Sequence, residues 1–220
     1  MTTGRDRLGE PVIGNVGTLR ELGLLLTRWR LLGAPVLVSV GGAGSMDEAV
    51  LGTMEVVLAE RVLPLLHELG AVVVDGGTDA GVMAAMGRAR QAGPDVPLVG
   101  VVARGTAHPP GTGSGPEAAE IDRHHSHQVL VPGDVWGEES PWIARVATAI
   151  SAGRPSATLV SNGGEITFED IAHSLQADRP VVVLAGTGRT ADLIASVNGA
   201  ARSTCRRRPA RTCTALIDRD

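Results

Sequence analysis

The chain has no lysine and no tyrosine. All 20 of its basic residues are arginine, and its aromatic side chains amount to one phenylalanine and three tryptophans. Without lysine there is no Walker-A lysine, which excludes a P-loop NTPase, and no Schiff-base lysine, which excludes the usual pyridoxal chemistry. So few aromatic rings leave little to build a stacking platform for single-stranded nucleic acid. A net charge of −4 gives no global attraction to a polyanion either, so nucleic acid is not expected as a partner. Cysteine is confined to Cys205 and Cys213, a spacing that fits no zinc site and reads as two free thiols. No apolar run approaches the ~18 residues of a membrane span, and the first residues lack the apolar core of a secretory signal, so a cytoplasmic location is expected. Neither a metal nor a resident cofactor is implied.

What is present is alternation. Short apolar runs at Pro35–Val40, Val72–Val74, Pro97–Ala103, His127–Val131, Ala157–Val160 and Pro180–Ala185 read as strands buried on both faces. Between them lie helical patterns over 17–32, from Ser45 to about Leu69, over 81–91, from Ser140 to about Ser151, from Thr167 to about Ala177, and over Ala191–Val197. Ser45-x-x-Glu48 and Thr167-x-x-Asp170 have the form of capping boxes, Ser140-Pro141 that of a helix start, and Pro64 should kink or split the helix that contains it. Residues 104–123 break the pattern as a long irregular loop. The pattern predicts an α/β fold, a Rossmann-like three-layer sandwich with a mostly parallel sheet. Residues 1–201 read as a single domain, and the arginine-rich 202–220 as a poorly ordered tail.

Four strands end in glycine: Gly42 and Gly44 before Ser45, Gly76 and Gly77 before Thr78, Gly163 and Gly164 before Thr167, and Gly186-Thr187-Gly188 before Arg189. A strand that ends in glycine and turns into a helix aims backbone amides at one point, a geometry suited to phosphate. In open α/β sheets such turns gather at the carboxyl edge, near the point where strand order reverses. A shared phosphate or nucleotide crevice is therefore expected. Neither Gly42-x-Gly44 nor Gly186-x-Gly188-x-x-Ala191 completes a dinucleotide fingerprint in its proper place, which argues against a standard NAD dehydrogenase.

Individual side chains allow more than one reading. Arg189 is either a bidentate phosphate ligand or a solvated surface arginine. Arg104 is a second candidate anion ligand. His124, His125 and His127 cluster without an obvious third metal ligand, so ligand contact or a structural hydrogen bond are the readings for His125. Asp75 and Asp79 read as turn-formers with a possible ribose contact. Trp136 and Trp142 would stack on a base or fill the core. Asp170 either caps a helix or activates water, the only weak catalytic candidate.

GGTDAGVM (76–83), IDRHHSHQVLV (121–131) and PVVVLAGTGRTADLIA (180–195) resemble the SLOG domain of melastatin-type TRP channels in its prokaryotic, LSDAT form. SLOG domains are related to the LOG phosphoribohydrolases, whose P-G-G-x-G-T-x-x-E signature aligns with residues 162–170. There Asn162 replaces the proline, Ile166 the third glycine and Asp170 the glutamate. The resemblance implies a nucleotide-binding sensor for ADP-ribose or a related NAD-derived nucleotide, acting on an unidentified effector, with a homodimer as the default assembly. LOG-like hydrolysis of a nucleoside 5′-monophosphate is the alternative.

Overall fold

A computed structural model describes residues 9–42, 44, 46–112, 118–204 and 212–216. Along the chain run β1 (Val12–Asn15), α1 (Leu19–Trp29), β2 (Val36–Gly41), α2 (Glu48–Val57), a π-helical stretch (Leu58–Val62), α3 (Leu63–Glu68), β3 (Val72–Asp75) and α4 (Gly81–Ala92). β4 (Leu98–Ala103), β5 (Ala107–His108), β6 (Ala119–Glu120), β7 (His127–Val131), α5 (Ser140–Ser151), β8 (Ser156–Ser161), α6 (Glu165–Gln176), β9 (Val181–Ala185), α7 (Arg189–Thr204) and β10 (Thr212–Leu216) follow.

Eight strands form one sheet in the order β1-β7-β4-β3-β2-β8-β9-β10, with every pair parallel. From β2 the chain builds outward through β3, β4 and β7, then returns to lay β8 on the opposite side of β2. Strand order therefore reverses between β2 and β8, where an open α/β sheet leaves a crevice beyond its carboxyl ends.

Alternation along each strand sorts the core into two layers. Val36, Val38 and Val40 of β2 point with Val99, Val101, Val129 and Val131 toward Leu22 and Leu26 of α1 and Ile143, Val146 and Ile150 of α5. Val73, Leu98 and Leu159 point the other way, toward Met54, Leu58, Leu63 and the α4 residues Val82, Met86 and Ala89. Each of the valine, leucine, isoleucine and methionine side chains among them, once fully buried, contributes about 1.5–3 kcal/mol.

Several elements depart from their sequence reading. Asp47, not Ser45, caps α2: its carboxylate accepts from the amides of Ala49 at 2.9 Å and Val50 at 3.3 Å, while Ser45 lies outside the described residues. The long helix is split, as Pro64 requires, and the disruption takes the form of a π turn just before the proline. Ser140 is itself helical, with Glu139 at the cap and Pro141 in the first turn. The 104–123 excursion carries a short parallel pair, β5 with β6, and an antiparallel bridge from Ile121 to Thr78. His125 precedes β7, and the ring of His127 packs at 4.7 Å on Trp29. Thr212–Leu216, in the stretch expected to trail loosely, add an edge strand to β9, with Cys213 opposite Val182; Cys205 is outside the described residues.

Candidate functional site

A hollow of about 450 Å³ lies at the switch point. Its floor is the end of β2, Ser39–Gly41, continued by Gly42 and Gly44. Gly76 and Thr78 after β3 line it on one flank of β2, and Gly164 to Thr167 at the head of α6 and Arg189 at the head of α7 line it on the other, the flank of β8 and β9. Met83 of α4, Trp136 and Glu139 of the β7–α5 connection and Ile143 of α5 also line it. Helices α4 and α6 both begin beside this hollow, so their first-turn amides and positive dipole ends make it favourable for an anion. Of the glycine-turn residues singled out in the sequence, Gly42, Gly44, Gly76, Thr78, Gly164, Thr167 and Arg189 line this one cavity.

The other glycine-turn residues do not line the hollow, and each has a structural task. Gly77 has φ +68°, gives its amide to Asp75 Oδ1 at 2.8 Å, and leaves no room for a Cβ, which would stand 2.5 Å from Gln128 Oε1. Gly163, at φ +108°, permits the close turn over Thr167, whose Oγ1 would be 2.6 Å from an added Cβ. Thr187 is buried; its hydroxyl donates to the Leu184 carbonyl at 2.6 Å and accepts from the Asn162 amide at 2.8 Å. The amides of Gly186 and Gly188 go to the carboxylate of Asp192, at 2.6 and 3.1 Å. A carboxylate from within the chain therefore occupies the last glycine turn. Of that turn only Arg189 reaches the cavity, from a left-handed backbone (φ +47°) that non-glycine residues adopt at a cost. Arg104 is engaged elsewhere, donating to the Val16 carbonyl at 2.7 Å.

Asp170 changes role in the structure. Helix α6 starts at Glu165 with Gly164 as its cap, three residues before the start read from sequence. Thr167 is the third helical residue, its hydroxyl accepting from the Gly164 amide at 3.2 Å. This frees Asp170 from capping and places it a turn deeper, at the cavity wall, 9% exposed and with Oδ1 lacking a hydrogen-bond partner. Burial pushes its carboxyl up to about 7; the neighbouring Ser140 hydroxyl works against this, and the negative charges of Glu139 and Glu169 add to it. Burial likewise raises Glu139, although Glu139 accepts the Gly137 amide at 2.9 Å. Glu139 and Glu165 went unread in the sequence. Glu139 stands next to a helix start, and nothing in its immediate neighbours marks it as facing a cavity formed by other strands.

Residues 34–217 match the family described as SLOG in TRPM, prokaryote. The chain belongs to that family. Among solved structures, the SLOG chain is similar to the molybdenum cofactor carrier protein of Chlamydomonas reinhardtii, at 16% identity over 83% of this chain and 89% of that one, with a TM-score of 0.51. It is similar also to the molybdenum cofactor binding protein of the phototrophic bacterium Rippkaea orientalis, at 14% identity over the same shares and a TM-score of 0.52. A third likeness, to the protein TM1055, has 21% identity over 74% of this chain and 81% of that one and a TM-score of 0.48. At these identities the likenesses concern the fold.

The SLOG signature turn rests on a buried ionic relay. His125 is fully enclosed, its Nε2 2.7 Å from Asp75 Oδ1 and its Nδ1 3.0 Å from Asp122 Oδ2. Burial alone would lower its pKa, but the two carboxylates outweigh burial and raise it to about 9, which makes it an imidazolium at neutral pH. His125 in turn holds Asp122 below the usual carboxylate range. The ring therefore supports the cavity wall from behind and does not reach the cavity. Asp79, the other turn acid, uses its amide to reach the Glu120 carbonyl at 2.8 Å. Trp142 is buried, with Arg145 5.1 Å over its ring, while Trp136 stays partly exposed at the cavity. Among the described residues no group of three or more His, Cys, Asp or Glu side chains is placed to hold a metal ion, and no helix is long and apolar enough to cross a membrane.

Proposed function

We propose that this SLOG domain is a sensor that binds a phosphate-bearing nucleotide, ADP-ribose or a related NAD-derived nucleotide, in the switch-point hollow. The observation that carries this reading is the meeting of three glycine-ended strand turns and Arg189 around one cavity. Phosphate oxygens would take amides from the 42–44 turn and the first turn of α6, with Arg189 as a charged, fork-shaped partner. Trp136 lines the cavity, and its ring would stack on a base. Calorimetry with ADP-ribose, cyclic ADP-ribose, NAD and AMP tests the reading. Binding heat with at least one, lost in Arg189→Ala, is expected; no heat with any of the four overturns it.

A second reading is favoured by one observation, the position of Asp170. A carboxyl poised near neutrality beside a nucleotide cavity suits proton transfer to or from water. In LOG-like hydrolysis of a nucleoside 5′-monophosphate, water would add at the anomeric carbon, the N-glycosidic bond would break, and the base would leave with a proton. Chromatography of AMP incubated with the protein separates the two readings. Free base that disappears in Asp170→Ala would make the domain a hydrolase.

A further inference from the structure

Among the described elements, the β4–β7 connection is the crossover without a helix. In its place stand the two-residue parallel strands β5 and β6, after which the chain turns at 123–124 beside α4, where Arg90 holds the His124 carbonyl, and reaches Ser126. This backbone covers the cavity turn from behind. Ile121 bridges Thr78, the Asp79 amide donates to Glu120, and the Asp122 amide donates to the Gly77 carbonyl at 2.9 Å. Gln128 adds a bond from Nε2 to that same carbonyl at 2.9 Å.

Beneath these contacts the hydrogen bonds form an unbroken path. Asp75 Oδ1 takes both the Gly77 amide and the His125 ring. The other ring nitrogen of His125 meets Asp122 Oδ2, and Asp122 Oδ1 holds His124 by its amide at 2.9 Å and its ring at 2.8 Å. His124 is partly exposed, and Arg90 fixes its carbonyl at 2.8 Å. One end of the path is thus at the surface; the other is the Gly77 peptide, flanked by the cavity-lining Gly76 and Thr78.

We infer that the Asp75–His125–Asp122 relay makes residues 119–126 a strap that tightens when the cavity is filled. A helix in this place would pack through dispersion and respond weakly to charge. A buried polar chain responds strongly, because no solvent screens it. Two atoms at the cavity end are buried without partners, Thr78 Oγ1 and Asp75 Oδ2. A ligand that engages Thr78 or the Gly76 peptide alters the field at Asp75, and His125 and Asp122 adjust with it. Linkage is reciprocal: what tightens the strap also strengthens ligand binding. The inference rests on the nucleotide reading of the cavity and adds to it the route by which occupancy reaches the surface.

Amide hydrogen exchange on the full chain, read by mass spectrometry with and without ADP-ribose or AMP, tests it. Ligand should slow exchange at Asp79, Ile121, Asp122 and His124 by about fivefold or more. In Asp122→Asn and His125→Gln that slowing should vanish while slowing over 164–170 persists. Wild-type protein that binds but shows no change over 119–124 overturns the strap and leaves the nucleotide reading intact. Variants that keep the protection of 119–124 also overturn it. Absence of binding by these two and by cyclic ADP-ribose and NAD overturns the nucleotide reading, and the strap falls with it.

Discussion

The amide of Gly186 donates to Oδ1 of Asp192 at 2.6 Å, and the other oxygen of that carboxylate takes the amide of Gly188 at 3.1 Å. The turn after β9 is a phosphate-type nest filled by the chain's own anion. Its contribution to the cavity is to hold Arg189 at the rim, in a backbone conformation that local preference alone would not select.

Removing the internal anion should therefore cost stability. Asp192→Ala leaves two amides without their acceptor, a loss of about 1–3 kcal/mol in urea unfolding. Asp192→Asn keeps one acceptor and should lose about half as much. Both variants should weaken nucleotide binding through displacement of Arg189, and a fully stable Asp192→Ala would contradict this account of the turn.

Arg189 separates binding from stability. Losing a charge-assisted bidentate contact should weaken nucleotide affinity at least about tenfold in Arg189→Ala, and Arg189→Lys should not restore it, because an ammonium lacks the planar fork. Glycine at the same position relieves the left-handed backbone. Arg189→Gly should therefore be about 1 kcal/mol more stable than Arg189→Ala while binding no better. Equal stability of the two would mean that the φ of +47° carries no strain.

Much of this architecture was legible because parallel strands covered on both faces have a plain sequence signature. The valine runs of β2, β3 and β9 could not be read as anything else, and the glycines that follow them marked the carboxyl edge. β1 was missed because Val12 and Ile13 are half exposed on an edge and Gly14 interrupts the apolar pattern; that glycine lets Leu25 and Trp29 of α1 approach closely. At the site, a glycine in sequence does not tell whether its amide is spent. Gly77, Gly186 and Gly188 look equivalent to the cavity-lining Gly42 and Gly76, and only the fold brings Asp75 and Asp192 to their amides. The same holds for Asp170. A capping-box pattern starting at Thr167 was convincing locally, but Gly164 begins the helix a turn earlier and sends the carboxyl inward.

That inward placement predicts a sign. The Asp170 carboxyl titrates at about 7 when folded and near 3.8 when unfolded. Below pH 4 both states are protonated and the burial of Asp170 is harmless. As pH rises toward 7 the unfolded chain ionises while the folded one resists, so the folded state is progressively penalised, by up to about 4 kcal/mol above pH 7. Asp170→Asn should match wild type in acid and exceed it at pH 8 in urea midpoint. An anionic ligand also favours the protonated carboxyl, so nucleotide affinity should strengthen as pH falls through 7, and this dependence should flatten in the variant. A midpoint gap independent of pH would contradict the assignment.

His125 gives the opposite sign in a separate window. Its folded pKa of about 9 lies above the ordinary 6.5 because Asp75 and Asp122 grip the imidazolium. Below pH 6.5 the histidine is charged in both states and the ion pairs contribute fully. Between 6.5 and 9 the unfolded chain sheds its proton while the folded one keeps it, and the contribution declines; above 9 it is gone, a total of about 3 kcal/mol. Asp122, whose folded pKa is depressed, contributes above the ordinary carboxylate range and does not vary over this interval. Thermal unfolding at pH 6, 7.5 and 9.5 in an Asp170→Asn background, which removes the acid-side effect, should show Tm falling across the series. His125→Gln in the same background should start lower at pH 6 and change little. A Tm that stays level between pH 7.5 and 9.5 would mean that His125 is neutral in the folded protein, and the relay would then be a chain of ordinary hydrogen bonds instead of an ionic clamp.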